Sequence, residues 1–205
     1  MTEKHFYERD FETGVSPEDH QEGGSPKRGG GLVEFLVIVL VAFALVFGFV
    51  RPFVVEAFYI PSESMVPTLE VGDRVFVNKF VYRFSEPQRG DIVVFKSIEG
   101  ENDDLIKRIV GVPGDEVELR NGLLFVNGER YRERYVNKEF PDDSCAGDQM
   151  LTWCGPITVP EGKVFVMGDN RANSRDSRYF GPVPIDDIEG EAFVVFWPPQ
   201  HIGLL

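Results

Sequence analysis

The fold class follows from the stretch Glu116-Val117-Glu118-Leu119-Arg120-Asn121-Gly122-Leu123-Leu124-Phe125-Val126-Asn127-Gly128. It contains two short runs with Val, Leu and Phe, separated by an Asn-Gly pair. Asn and Gly tolerate the positive φ that both central residues of a type I′ turn need, and this turn joins the strands of a hairpin. The stretch therefore predicts two antiparallel strands, Glu116–Arg120 and Leu123–Val126, connected by a tight turn.

The same pattern continues on both sides of this hairpin. Short runs of β-branched and aromatic residues end at turn sequences such as Pro113-Gly114-Asp115 and Pro160-Glu161-Gly162. The further candidate strands are Phe53–Ile60, Arg74–Tyr82, Ile92–Lys96, Leu105–Val112, Ile157–Val159, Lys163–Met167 and Glu191–Trp197. In this region only Ile185–Ile188 favours a helix, and irregular loops are predicted over 129–156 and 168–184. We therefore expect a mainly β domain built on antiparallel sheet.

The N-terminal part of the chain differs from the rest. Residues 1–31 are rich in Glu, Asp, Gly, Ser and Pro and bury too little apolar surface to fold, so we expect a disordered tail. Phe35–Val50 is apolar throughout apart from Gly48, and as a helix it is about 24 Å long. The prediction is one transmembrane anchor helix over 32–52, followed by the β-rich domain over 53–205.

The residues on either side of the apolar run indicate whether it is cleaved and how it is oriented in the membrane. A cleaved signal peptide is the alternative to an anchor, but the flank Arg51-Pro52-Phe53-Val54-Val55-Glu56 lacks the small residues of a cleavage site. Lys27 and Arg28 precede the run, whereas no Lys or Arg occurs between Pro52 and Asp73. The positive-inside rule then predicts a cytoplasmic tail and an extracytoplasmic domain.

Charge and cysteine content narrow the classes of protein. The formal net charge is -13, which argues against nucleic acid as a partner because phosphate binding needs clustered Lys and Arg. Outside the cytoplasm the two cysteines, Cys145 and Cys154, can form a disulfide, with two unpaired thiols as the alternative. A metal site is not expected, since no His or further Cys lies near them.

A candidate nucleophile lies after the anchor, in Pro61-Ser62-Glu63-Ser64-Met65-Val66-Pro67-Thr68-Leu69. A serine nucleophile needs a base, which is usually histidine. Of the three histidines, His5 and His20 lie in the tail. A Ser-His-Asp triad would therefore have to use His201, near the C-terminus. We expect instead that the base for Ser64 is a lysine.

Lys107 is the lysine that the pattern selects. In Leu105-Ile106-Lys107-Arg108-Ile109-Val110, strand alternation puts Leu105, Lys107 and Ile109 on one face and the intervening residues on the other. Both faces are apolar, and burial favours the neutral form of a lysine, whereas an arginine stays charged. The alternative is a lysine on an edge strand whose ammonium group reaches solvent.

Two further groups of polar residues allow more than one interpretation. Ser62 precedes Ser64 by two residues, and it either donates to an oxyanion or caps a backbone amide of the turn. The polar segment from Gly168 to Gly181 is either a solvated loop or a hydrogen-bonded network. In such a network a serine hydroxyl can bond the lysine amine, and an ion pair can support the loop. The candidates are Ser174, Ser177, Asp176 and Arg178.

These segments together resemble the bacterial type I signal peptidases, the membrane-anchored Ser/Lys peptidases of family S26. Three blocks, in the family's order, carry the resemblance: Ile60–Leu69, then Arg89–Lys96 with Ile106–Asp115, and finally Gly168–Gly181. A single Ser-x-Ser-Met is a weak match, whereas three ordered blocks behind an anchor are specific. The resemblance extends from the anchor to the C-terminus and excludes the tail.

The resemblance implies a role for each matching residue. Ser64 is the expected nucleophile and Lys107 the general base, with Ser62 Oγ and the Ser64 backbone N–H as oxyanion donors. Ser174 is expected to orient the Lys107 amine. The framework of the site is assigned to Asp169, Asp176 and Arg178. Two positions depart from the family pattern, with Glu63 where Gly is frequent and Ala172 where Asp is common.

The implied reaction is hydrolysis of one peptide bond in an exported preprotein, after small residues of the Ala-x-Ala type, through an acyl-enzyme. Pockets for such side chains are expected near Phe58, Ile60, Met65 and Val110. No metal or other cofactor is expected, and the implied partners are exported preproteins and membrane lipid. The resemblance also implies a monomeric, single-pass protein of the bacterial plasma membrane.

Two other classes of protein remain open from the residues alone. A membrane-anchored β module that binds proteins without catalysis would tolerate Ser64→Ala. A Ser/Lys autoprotease like the SOS repressors would need a DNA-binding domain and a scissile Ala-Gly or Cys-Gly bond. Cys154-Gly155 supplies the dipeptide, but the acidic tail has no helix-turn-helix pattern.

Overall fold

The computed structural model describes residues 31–50, 54–98, 100, 103–136 and 155–205. Apart from Gly31, the predicted tail over 1–31 lies outside the described residues. The two cysteines, Cys145 and Cys154, lie outside them as well. The expectations for the tail and for a disulfide therefore stay predictions.

The N-terminal helix, α1, spans Gly31–Leu45 and continues as a π-helical turn over Val46–Val50. Between Gly31 and Gly48 it is long and apolar enough to cross a membrane. The side chains of α1 are exposed on every side. A helix that is apolar all round is suited to a lipid environment rather than to a water-facing surface.

The domain that follows is built from short strands. In the described residues they are β1 (Val55–Tyr59), β2 (Arg74–Asn78), β3 (Ile92–Lys96), β4 (Asp104–Gly111), β5 (Glu116–Arg120), β6 (Leu123–Val126), β7 (Glu129–Arg130), β8 (Ile157–Thr158), β9 (Lys163–Met167), β10 (Val183–Pro184), β11 (Ile188–Trp197) and β12 (Gly203–Leu204). The larger sheet has the order β1-β2-β11-β3-β4-β9-β10, with β12 paired to β11, and the smaller sheet has the order β7-β6-β5-β8. The pairings are antiparallel throughout. The predicted fold class, mainly β with one N-terminal apolar helix, is confirmed.

The β5–β6 hairpin has the geometry that its sequence predicts. Arg120 pairs with Leu123 across a turn in which Asn121 and Gly122 have φ of 49° and 71°. Positive φ at both central residues is characteristic of a type I′ turn, which matches the twist of the strands it joins.

The differences from the predicted elements are confined to short segments. The 3₁₀ turn Ile185–Asp187 replaces the helix favoured there, and β11 begins directly after it. The predicted loop over 129–156 contains β7, and that over 168–184 contains β10 and a short helix, α2 (Ser177–Phe180). The strand β12 lies beyond the last strand predicted. Two-residue strands carry no readable alternation, so their partner strands determine them rather than their own sequence.

Strand β4 lies in the interior of the domain. Its Lys107 pairs with Val93 of β3 and is 3% exposed, and the neighbouring Arg108 is 8% exposed. Leu105 and Ile109 pack in one hydrophobic cluster, whereas Ile106 packs in another. The predicted alternation is therefore present, and a lysine whose ammonium reaches solvent is excluded.

Candidate active site

The turn that carries Ser64 is held by its own backbone and by a buried neighbour. Glu63–Met65 forms a 3₁₀ turn, closed by the N–H of Val66 donating to Glu63 O at 3.1 Å. The Met65 side chain is fully buried in the cluster that also contains Ile60. Ser64 itself is 7% exposed. Its hydroxyl therefore sits at a fixed position at the edge of the core.

Lys107 is the direct partner of the Ser64 hydroxyl. The Lys107 Nζ donates to Ser64 Oγ at 2.8 Å and to Ile106 O at 2.8 Å. Burial lowers the pKa of Lys107 to about 8, while the Asp176 and Asp169 carboxylates limit that decrease. Near neutral pH a fraction of the amine is unprotonated. In that form its lone pair can accept the Ser64 proton through the same contact.

Ser62 places a second hydroxyl beside that of Ser64. The Ser62 Oγ lies 3.3 Å from Ser64 Oγ and makes no capping hydrogen bond to the turn that follows. The side chain is exposed. The turn-capping alternative is therefore not what the structure contains, and the hydroxyl is accessible to a bound substrate.

The segment after β9 packs directly on the Ser64 turn. A Cβ at Gly168 would lie 2.5 Å from Ser64 O and would overlap Ser174 Oγ, so this close approach requires glycine. Two residues later, the backbone N–H of Asn170 donates to Ser64 O at 3.0 Å. The buried polar residues of the segment are Asp169, Asn170, Arg171, Ser174, Asp176, Ser177 and Arg178. A solvated loop is therefore excluded.

Two buried ion pairs support this segment. Arg108 donates to both carboxylate oxygens of Asp169, at 2.9 and 2.7 Å, and Thr68 Oγ1 donates to the same carboxylate. The Arg178 Nε donates to Asp176 Oδ1 at 2.9 Å, with both side chains fully buried. Burial by itself raises the pKa of Asp176, but the Arg178 guanidinium outweighs it, so that pKa lies below its usual value.

The hydrogen bond expected from Ser174 to the Lys107 amine is absent. Ser174 is buried within reach of the Asp176 carboxylate, but its Oγ makes no hydrogen bond of ordinary geometry. The other candidate, Ser177, accepts from the N–H of Val166 at 2.9 Å. The amine is instead oriented by the backbone carbonyl of its own strand, at Ile106.

Sequence reasoning did not find the side chains that connect the two buried arginines beside the site. Glu133 pairs with both terminal nitrogens of Arg171, and the Tyr135 hydroxyl donates to the Glu133 carboxylate at 3.0 Å. The Tyr135 ring also covers the Arg108 guanidinium, at 4.0 Å from its centroid. These residues lie in the predicted irregular loop, where no local pattern marks them.

The residues expected at the substrate pocket divide between two clusters. Phe58, Ile60 and Met65 pack together, and Ile106 belongs to the same cluster. Val110 packs instead with residues of the smaller sheet, and its place in the pocket stays a prediction. The irregular pairing with β9 after Ile109 carries this end of β4 towards that sheet.

His201 is engaged elsewhere. Its Nδ1 lies 2.8 Å from Asp73 Oδ1, and its Nε2 lies 3.5 Å from Glu70. The hydrogen bond to Asp73 raises the pKa of His201. A triad of His201 with Ser64 is therefore not formed. Among the residues that the structure describes, no group of three or more His, Cys, Asp or Glu side chains is arranged to hold a metal ion.

An antiparallel β domain in which a serine hydroxyl lies against a buried lysine amine fits the class of serine endopeptidases. Residues 32–197 match the family described as signal peptidase, peptidase S26. The chain therefore belongs to this family of signal peptidases, and it is a serine endopeptidase that removes signal peptides. Because the chain belongs to this family, the two alternative classes, a non-catalytic binding module and a repressor-like autoprotease, are excluded.

Individual relatives cover most of the chain. A signal peptidase I from Leptolyngbya laminosa is 40% identical, over 97% of this chain and 96% of that protein. A signal peptidase I P from Bacillus subtilis subsp. natto is 43% identical, over 86% of this chain and 95% of that protein. A crystal structure of a signal peptidase I from Enterococcus faecalis V583 is 37% identical, covering 52% of this chain and 97% of that chain with a TM-score of 0.43.

Proposed function

We propose that Ser64 is the nucleophile and Lys107 the general base in the removal of signal peptides. The observation that carries this proposal is the 2.8 Å contact between Lys107 Nζ and Ser64 Oγ in a buried site. The neutral amine takes the Ser64 proton as Oγ attacks the scissile carbonyl, and the ammonium then protonates the leaving amine. Water activated by the same amine hydrolyses the acyl-enzyme and releases the mature protein.

The remaining site residues are proposed to stabilise the charge that develops and to hold the pair in place. The Ser62 hydroxyl and the Ser64 backbone N–H donate to the oxyanion of the tetrahedral intermediate. The support comes from Asp169, Asp176, Arg178 and Ser174. Three of these form the buried ion pairs, and Ser174 lies against Gly168, where the loop approaches the nucleophile.

The preprotein is proposed to bind as an added β-strand. β1 is an end strand of the larger sheet and pairs only with β2 among the described strands. In β4, Asp104–Lys107 pair with β3, whereas pairing with β9 begins at Arg108. Both segments leave backbone groups free for an extended peptide that leads to Ser64. Side chains on one face of that peptide would meet the cluster around Ile60 and Ile106, where only small residues such as Ala fit.

The test of this proposal is cleavage of one preprotein by the purified full-length protein in detergent. With Ala at positions −1 and −3, mass spectrometry is expected to find the mature N-terminus. Phe at −1 should lower kcat/KM more than about 100-fold, because a shallow pocket cannot hold the ring. Phe at −2 is the matched control and should be tolerated, since alternate residues of a strand point to the other face. Equal cleavage of both variants would contradict the pocket.

Helix α1 is proposed to anchor the protein in the bacterial plasma membrane, with the N-terminus in the cytoplasm and the peptidase domain outside. The support is its apolar length and the charge asymmetry of its flanks. Anchoring confines the enzyme to the surface where preproteins emerge and raises their effective concentration. Protease added to intact spheroplasts should degrade residues 53–205. Protection of that domain until the cells are lysed would reverse the orientation.

A further inference from the structure

We infer that Asn170 is a positioning residue for the oxyanion hole, because it holds the peptide group that joins Glu63 to Ser64; the inference rests on the proposed function. The Asn170 Nδ2 donates to Glu63 O at 3.2 Å. Its backbone N–H donates to Ser64 O at 3.0 Å. One residue of the segment after β9 therefore binds two successive main-chain carbonyls of the nucleophile turn.

The first of these hydrogen bonds controls the direction of an oxyanion donor. The carbonyl of Glu63 and the N–H of Ser64 belong to one planar trans peptide group and point in opposite directions. A restraint on Glu63 O is therefore a restraint on the Ser64 N–H. The N–H of Val66 donates to the same oxygen at 3.1 Å, so two donors hold it. Two accepted hydrogen bonds also polarise the peptide group, which makes its N–H a stronger donor.

The Oδ1 atom of Asn170 indicates why an amide side chain occupies this position. Asn170 is 5% exposed, and its Oδ1 makes no hydrogen bond. A buried acceptor without a partner costs free energy, so an apolar side chain would serve packing better at this position. The hydrogen bond from the NH₂ group to Glu63 O therefore explains why this residue is an asparagine.

Asn173 offers a matched control in the same segment. Its Nδ2 donates at 3.2 Å to the carboxylate of Glu63 rather than to the peptide group, and the residue is exposed. Loss of this contact removes a similar hydrogen bond to the same residue but leaves the peptide group held by Asn170 and Val66.

The test compares Asn170→Leu, Asn170→Ala and Asn173→Leu with the unaltered full-length protein on one preprotein in detergent. Asn170→Leu keeps the shape of the side chain but removes both the NH₂ donor and the unpaired Oδ1. It should lower kcat about tenfold, less than the ~100-fold or greater loss from deleting an oxyanion donor. KM should stay within about twofold, because the oxyanion forms only after binding. The melting temperature and the midpoint of the pH–rate profile should not fall, and Asn173→Leu should keep its kcat within about twofold.

Several results overturn the inference. These are an unchanged kcat in both Asn170 variants, a rise in KM alone, an equal loss in Asn173→Leu, or a displaced pH midpoint, which would place the effect on Lys107. The inference is also overturned if kcat in the Leu and Ala variants falls only in proportion to the fraction of folded protein in each. Failure of the proposed function looks different: the unaltered protein would not cleave the preprotein, or Ser64→Ala would remain active.

Discussion

Replacing Lys107 with methionine is expected to lower the rate of preprotein cleavage by about 10⁴-fold or more, as does replacing Ser64 with alanine. Methionine fills the buried space of the lysine stem but offers no proton acceptor to Ser64 Oγ. Because the two residues act as one unit, the double variant should be no slower than either single variant. Single-turnover cleavage in detergent measures the rates, and thermal melting checks that each variant is folded.

The pH dependence of the unaltered enzyme tests the same amine. Burial lowers the pKa of Lys107 to about 8, and only the neutral amine can accept a proton. The value of kcat/KM should therefore rise with pH, with its midpoint near that pKa. Lys96→Met, which removes an exposed lysine, is the control and should leave the rate and the profile unchanged. Cleavage by Lys107→Met near neutral pH, or a profile with no ascending limb, would contradict the assignment.

Replacing Asp176 with asparagine is expected to lower the free energy of unfolding by about 3–5 kcal/mol, because it leaves the buried Arg178 guanidinium without its counter-charge. Both side chains of this pair are fully buried. Glu56→Gln breaks the exposed pair with Lys79 and should cost only about 0–1 kcal/mol. Urea unfolding of the full-length protein measures both. Equal, small changes would show that the buried pair does not hold the fold.

The same substitution has two consequences for pH. The lowered pKa of Asp176 means that its stabilisation is present above the ordinary Asp value and is lost as pH falls through the folded value. The asparagine variant should therefore lose less further stability on acidification below about pH 4. The Asp176 carboxylate also raises the pKa of Lys107, so its removal should move the ascending limb of the rate profile to lower pH. A limb displaced upwards would contradict this coupling.

The buried contact between Ser64 and Lys107 could be anticipated from the sequence because its signals are local. Lys107 stands in a strand pattern that is apolar on both faces, and this pattern favours a buried amine but leaves open a lysine on an edge strand. Likewise, the two residues of the Asn-Gly turn are sufficient to predict the β5–β6 hairpin. The turn at Ser64 lies between two prolines and is likewise predictable from a short segment of sequence.

The other features depend on contacts between distant segments. Glu133 pairs with Arg171, 38 residues later in the chain, and Asn170 reaches Glu63 from the segment after β9. No periodicity marks either residue. The packing of Val110 on the smaller sheet has a related cause, since the irregular pairing after Ile109 depends on β9 rather than on β4 itself. The hydrogen bond expected from Ser174 is absent, and the Lys107 amine donates to Ile106 O of its own strand.

The approach of Gly168 and Asn170 to the nucleophile turn has a consequence for the order of events during synthesis. Ser64 and Lys107 leave the ribosome well before the segment that holds their turn, because that segment follows β9. A nascent chain therefore contains both proposed reacting groups without the contacts that fix their geometry. From chain order we expect proteolytic activity to begin only after the segment that follows β9 has been made and has packed on the turn of Ser64.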